Sequence, residues 1–268
     1  MKRYVLATSV IGFIVLIILA YKVWFAPTSI LIVNAGPTRA TEFVIANDSK
    51  FIKVTCVDNE DFVTMDGYDA AIFFGRSLLL DSVQIDEVRR AVTEDKKPVY
   101  TYLLKSFTYD LTGNIDSADI VLLHEYLDNP CIANLRSVLR KMRSIATPHR
   151  LGDMHFSSPD ILPRNMYYHL DDGKYFLEAD SLTQYLRSRG LYNENGRRLA
   201  LINGPIFPVE GSRPHIDSLI SLFTARGFNV YPIVSTGTER MDMIRRLHPD
   251  GIIYLPMGKF GNDEFIEW

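Results

Sequence analysis

Cysteine is scarce in this chain. Its 268 residues hold two, Cys56 and Cys131, and neither lies in a Cys-x-x-Cys or zinc-site spacing. That excludes a disulfide-dense scaffold, and both residues read as buried apolar fillers, with a Cys56–Cys131 disulfide left open. An excess of one charge is also missing. The formal net charge is −3, so nothing electrostatic favours nucleic acid. No Gly-x-Gly-x-x-Gly loop follows any apolar run. Gly36-Pro37 and Gly204-Pro205 stand where one would be sought, and proline removes an N–H that would hold phosphate. No nucleotide motif is therefore read, and both sites read as turns leading to the next helix. There is no c-type haem attachment motif and no ordered Ser-His-Asp or Cys-His set.

A long apolar run is present. Met1-Lys2-Arg3 is basic, and Tyr4 to Ala20 follows without a charge. Tyr21, Trp24 and Phe25 form an aromatic edge, with Lys22 placed to snorkel. A span needs about 20 apolar residues, so Tyr4 to Trp24 suffices. The rival is a cleaved signal peptide, but Ile18 before Ala20 departs from the Ala-x-Ala pattern. Residues 1–26 are thus read as a single-pass anchor, N-terminus cytoplasmic. In a Gram-negative cell that means an inner-membrane protein with a periplasmic body.

Behind the anchor the chain alternates strands and helices. In the first domain, 28–147, strands are expected at Ile30 to Val33, Phe51 to Val57, Ala70 to Phe74, Val99 to Leu103 and Asp119 to Leu123. Helices are expected from Asp81 to Thr93, with Asp81 as N-cap, and from Asn134 to Ile145. A connecting loop and helix, 148–190, carries the histidines His149, His155 and His169. The second unit, 191–268, has strands at Leu199 to Ile202, Val230 to Ile233 and Ile252 to Leu255. Between the first two, Ile216, Leu219, Ile220 and Phe223 recur at i, i+3, i+4 and i+7, the stripe of an amphipathic helix. Gly227 closes that helix, and a shorter one runs from Glu239 to Leu247. The fold class is α/β, with two doubly wound, flavodoxin-like parallel-sheet units, the second incomplete.

Chemistry-bearing residues are few. Arg76 follows the third strand, where its planar guanidinium suits a carboxylate such as a propionate; an ion pair with a nearby Asp is the plainer alternative. His149, His155 and His169, with Met154 and aromatics nearby, suit axial contact to haem iron; surface or hydrogen-bonded histidines are the alternative. Arg213 and His215 open the helix after Gly204-Pro205, where ligands often sit in an open α/β sheet. His215 can equally bond Asp217 or Glu210. His124 is read as ending a strand, and His248 as a cation at a helix C-terminus.

The run Arg213-Pro214-His215-Ile216-Asp217-Ser218-Leu219-Ile220, then Arg226-Gly227-Phe228-Asn229-Val230-Tyr231-Pro232-Ile233 and Asp250-Gly251-Ile252-Ile253, resembles the N-terminal region of the cobaltochelatase and magnesium chelatase large-subunit family. Asn47 to Val54 and Phe74-Gly75-Arg76 are similar to it too. Members of that family are several times longer. The resemblance implies an enzyme that exchanges metal with a tetrapyrrole, and further chelatase body as partner. It also implies haem or another metallo-tetrapyrrole as substrate. Family insertion reactions use partner ATPases in the cytoplasm, which a periplasmic body would not meet. The anchored haem-uptake branch, HmuS-like, is the most similar, and implies iron removal from haem to give protoporphyrin. Two alternatives are kept: a cobaltochelatase large subunit of cobalamin synthesis, and a non-enzymatic periplasmic tetrapyrrole-binding module.

Overall fold

The computed structural model describes residues 13, 15, 17, 20, 21, 23–75, 78–102, 110–169, 174–202, 214–235 and 237–255. Two compact units divide the chain, Met1–Asp160 and Ile161–Trp268.

The first unit runs β1 (Thr28–Val33), α1 (Pro37–Ala46), β2 (Ile52–Val57), a 3-10 turn (Asn59–Asp61), β3 (Ala70–Phe74), α2 (Ser82–Thr93), β4 (Val99–Tyr102), α3 (Ser117–Asp128) and α4 (Ile132–Ala146). Its four strands are parallel in the order β2-β1-β3-β4. The apolar runs of β1 and β3 are unbroken because helices cover both faces. Ile30, Ile32, Ile72, Tyr100 and Tyr102 face α1, α3 and α4. The alternate residues Leu31, Val33, Ala71, Phe73 and Val99 face α2. Each Ile, Leu, Val and Phe among them contributes about 1.5–3 kcal/mol on burial. Asp81 caps α2 as its sequence suggests, and Gln84 completes a reciprocal capping box.

One expected strand is corrected. Asp119 to Leu123 lies inside α3. The four-residue apolar run Ile120 to Leu123 could not fix a period, whereas Leu123, Tyr126 and Leu127 are buried at i, i+3, i+4 and Val121 is exposed, which is helical spacing. His124 is therefore a helix residue rather than a strand end.

In the second unit β7 (Arg198–Ile202), β8 (Asn229–Val234) and β9 (Gly251–Tyr254) are parallel. Helix α6 (Pro214–Ala225) covers one face through Ile216 and Ile220. Helices α5 (Ala179–Ser188) and α7 (Gly237–Leu247) cover the other through Leu182, Leu186, Met243, Ile244 and Leu247. Gly227, at φ 86°, ends α6 in a Schellman turn: Phe228 N–H reaches Phe223 O and Gly227 N–H reaches Thr224 O. The sheet is mixed rather than parallel, a second correction. Two strands in the stretch read as connecting loop, β5 (Met166–Tyr168) and β6 (Tyr175–Phe176), add an antiparallel edge to β8. Strands of three and two residues are too short to show alternation.

Among the described residues no helix is long and apolar enough to cross a membrane. Most of Tyr4 to Trp24, and all of 256–268, lie outside them. At the described positions 13, 15, 17, 21, 23 and 24 the chain is helical and its large apolar side chains are exposed.

Candidate functional site

In an open α/β sheet the ligand edge lies at the carboxyl ends of the strands, where strand order reverses. In the first unit that point falls between β1 and β3. Asn34, at φ 61°, ends β1 there. Its N–H donates to Val57 O and its Nδ2 to Phe74 O, which ties the ends of three strands together. Gly36, at φ 76°, turns the chain into α1, and Pro37 opens that helix. Arg39 spends its charge on Glu42, 2.7 Å away and nearly fully buried. A buried carboxylate needs such a partner, and the pair lies within the first turns of α1. Arg76 lies outside the described residues.

Beside this edge is a proton-bearing cluster the sequence did not reveal. Tyr102 Oη donates to Leu127 O and to Asp128 Oδ1, at 3.0 and 2.8 Å. Tyr100 Oη lies 3.1 Å from His124 Nδ1, and His124 Nε2 lies 3.4 Å from Asp128 Oδ2. Burial, with the Asp128 carboxylate close by, pushes both phenols well above their ordinary range. They stay protonated. The imidazole and carboxylate are half exposed. The available signal was His124 and Asp128 at i, i+4 on one helix, opposite tyrosines at i, i+2 on one strand.

The expected histidines do not form one constellation within the second unit. Register Met166↔Val234 and Tyr167↔Ile233 makes β5 run back toward the amino ends of the parallel strands. His169 follows it there. Its N–H donates to Lys174 O, and its buried ring meets Tyr185 of α5 at 5.2 Å. His215 is exposed in the first turn of α6, at the carboxyl end and on the opposite face. Arg213 lies outside the described residues. Within the first unit, His149 and His155 are exposed on the segment after α4, and His155 O accepts from Arg140. Among the described residues no three His, Cys, Asp or Glu side chains stand close enough to hold a metal ion.

Both cysteines are free and half-buried. Burial pushes both thiols up, which makes them poor nucleophiles. Cys131 is more than filler: its Sγ accepts from Asn134 N–H and caps α4. His248, at φ 48°, is the left-handed residue that ends α7.

At the carboxyl end of the second sheet, Ser235 is fully buried and donates to Asn165 Oδ1 at 2.6 Å. Arg240 donates to Ser235 O and reaches Tyr254 Oη at 3.3 Å. This edge is thus braced by neutral acceptors, leaving the arginine without a carboxylate among these bonds.

Two sheets, each covered by helices on both faces, define an α/β protein. The CobN/Magnesium Chelatase family matches residues 124–263, more than half of the chain. The chain belongs to that family. Among solved structures it is similar to the catalytic subunit of cobaltochelatase from Mycobacterium tuberculosis, with a TM-score of 0.57 and 11% identity. That likeness covers 88% of this chain and 19% of the other, so this chain spans a small part of that protein's length. At such identity the likeness is one of fold. No curated protein sequence matches the chain.

Proposed function

We propose that this chain is the anchored front end of a tetrapyrrole metal chelatase-type enzyme that removes iron from haem and leaves protoporphyrin. Family membership over residues 124–263 carries the chelatase reading. Iron removal rests on the charge-free run Tyr4 to Ala20. A body held outside the cytosol has no ATP for partner-driven insertion, and extraction from an incoming haem needs none.

Extraction needs protons for the pyrrole nitrogens and borderline ligands for the departing iron. His124 and Asp128, half exposed beside the sheet edge, are placed to hand over such protons, with Tyr100 and Tyr102 holding them in position. Ligands for the iron belong to the rest of the chelatase body. Of the candidate contacts, Arg213 with His215 suits a propionate, since the exposed imidazole follows the guanidinium by two residues at a carboxyl edge. Arg76 suits the same group. His149 and His155 are exposed enough to reach iron, whereas His169 would have to leave its packing on Tyr185.

The complete protein, incubated anaerobically with haem and a reductant, develops porphyrin fluorescence. No porphyrin emission would overturn iron removal. The fold likeness to a cobaltochelatase catalytic subunit favours cobalt insertion as second reading, and insertion into the metal-free ring only with ATPase partners and ATP would establish it.

A further inference from the structure

The junction between the apolar run and the first sheet is clamped. Arg143 of α4 is 0% exposed. Its guanidinium donates to Thr28 Oγ1 at the start of β1, to Phe51 O just before β2, and to Leu151 O and Gly152 O in the turn beyond α4. Arg150 donates to Pro27 O at 2.9 Å and pairs with Asp69, just before β3, at 3.1 Å. Leu151 N–H donates to Trp24 O at 2.6 Å. Two arginines and one backbone bond thus fix the end of the apolar run against the amino ends of β1, β2 and β3. No free linker separates them.

The same junction shows apolar surface. Tyr21, Trp24 and Leu151 are 60, 50 and 53% exposed, and the Tyr21 and Phe25 rings stack at 5.9 Å. Lys50, also exposed, lies over the Phe51 ring. Aromatic rings beside an apolar run, with a lysine near, are what the headgroup layer of a bilayer accommodates. Nothing comparable is needed at a junction that floats in water.

Resting on the anchor reading, we infer that the amino edge of the first sheet sits on the phospholipid headgroup layer, with Tyr21, Trp24, Phe25 and Leu151 in the interface. The carboxyl edge, with Asn34, Gly36 and the tyrosine–histidine cluster, then points away from the bilayer. Substrate reaches that edge from the aqueous side.

Single-tryptophan reporters in the 268-residue chain, which holds two tryptophans, test this. Trp24 is read in a Trp268→Phe background. Leu151→Trp and Leu79→Trp are read in Trp24→Phe, Trp268→Phe. Leu79 is exposed near the carboxyl end of β3, so it serves as the distal position. Each protein is reconstituted into phosphatidylcholine–phosphatidylglycerol vesicles carrying nitroxide at the headgroup. Emission from Trp24 and from the Leu151→Trp reporter shifts to shorter wavelength and loses most of its intensity, while the Leu79→Trp reporter is unchanged. Quenching of Trp24 without quenching of the Leu151→Trp reporter would leave the anchor intact and overturn the docking. Release of the chain by alkaline carbonate would overturn the anchor itself, and the docking with it.

Discussion

In the first unit β1 takes an inner place, flanked by β2 and β3, and the fourth strand continues the parallel sheet. In the second, β7 takes the equivalent place between β8 and β9, yet beyond β8 the sheet turns antiparallel through β5 and β6. The centres follow one rule: short apolar strands, buried on both faces, linked by helices. The flanks do not. The first unit borders its sheet with a strand that brings two tyrosines under α3; the second borders it with a hairpin that buries His169 against α5. A shared centre therefore leaves each unit to make its chemistry from its border.

The amino edges differ as well, and the largest expected effect lies there. Arg143 is buried against four neutral acceptors. Burial, with the neighbouring Arg150 charge, pulls its proton affinity down, but the cation is held by hydrogen bonds. Arg143→Met removes the cation and strands those acceptors, at about 1–3 kcal/mol for each left without water. Urea unfolding of the first unit, followed by a probe within it, should lose roughly 3 kcal/mol or more. Ser188→Ala, on an exposed turn of α5 in the second unit, should change little. A small loss for Arg143→Met would mean water reaches those carbonyls and the clamp is looser than its geometry.

Helix ends give a smaller contrast. The Asp81–Gln84 capping box is reciprocal, so Asp81→Ala should cost about 1 kcal/mol in the same unfolding measurement. Asp81→Asn keeps the acceptor and should restore most of it.

What could be read from the chain follows the same division. The three parallel strands of the second unit and the stripe Ile216, Ile220 were legible because each run is short, apolar and bounded by glycine or proline. Asp81 was legible because a cap is a local pattern. Asp119 to Leu123 misled because its four apolar residues satisfy strand and buried helix alike, and only Tyr126 and Leu127 beyond them set the period. The tyrosine–histidine cluster was hidden because strand and helix meet only after folding, with Tyr100 and His124 twenty-four residues apart. Arg143 looked like one of several cations on a basic helix. Its place four and eight residues after Leu139 and Leu135, on the buried stripe of α4, was the mark that set it apart.

The finest contrast is between two Arg–Glu pairs of like chemistry. In the first unit Glu87 accepts from Arg90, from Met65 N–H and from Thr64 Oγ1. Those bonds, the Arg90 guanidinium first, lower its carboxyl from 4.5 to about 2. A carboxyl held lower in the folded state stabilises above its unfolded value, and that stabilisation drains as pH falls through the folded one. The first unit should thus lose stability between pH 4.5 and about 2, and Glu87→Gln should flatten that slope. In the second unit Glu194 faces Arg187 at 2.9 Å with both side chains more than half exposed. The arginine lowers this carboxyl as well, but water screens an exposed pair and the two side chains lose freedom to make it. Glu194→Gln should leave the acid slope of the second unit unchanged within error. Equal slopes from the two substitutions would mean that the pairing alone, and not the Met65 and Thr64 bonds around it, sets the acid response.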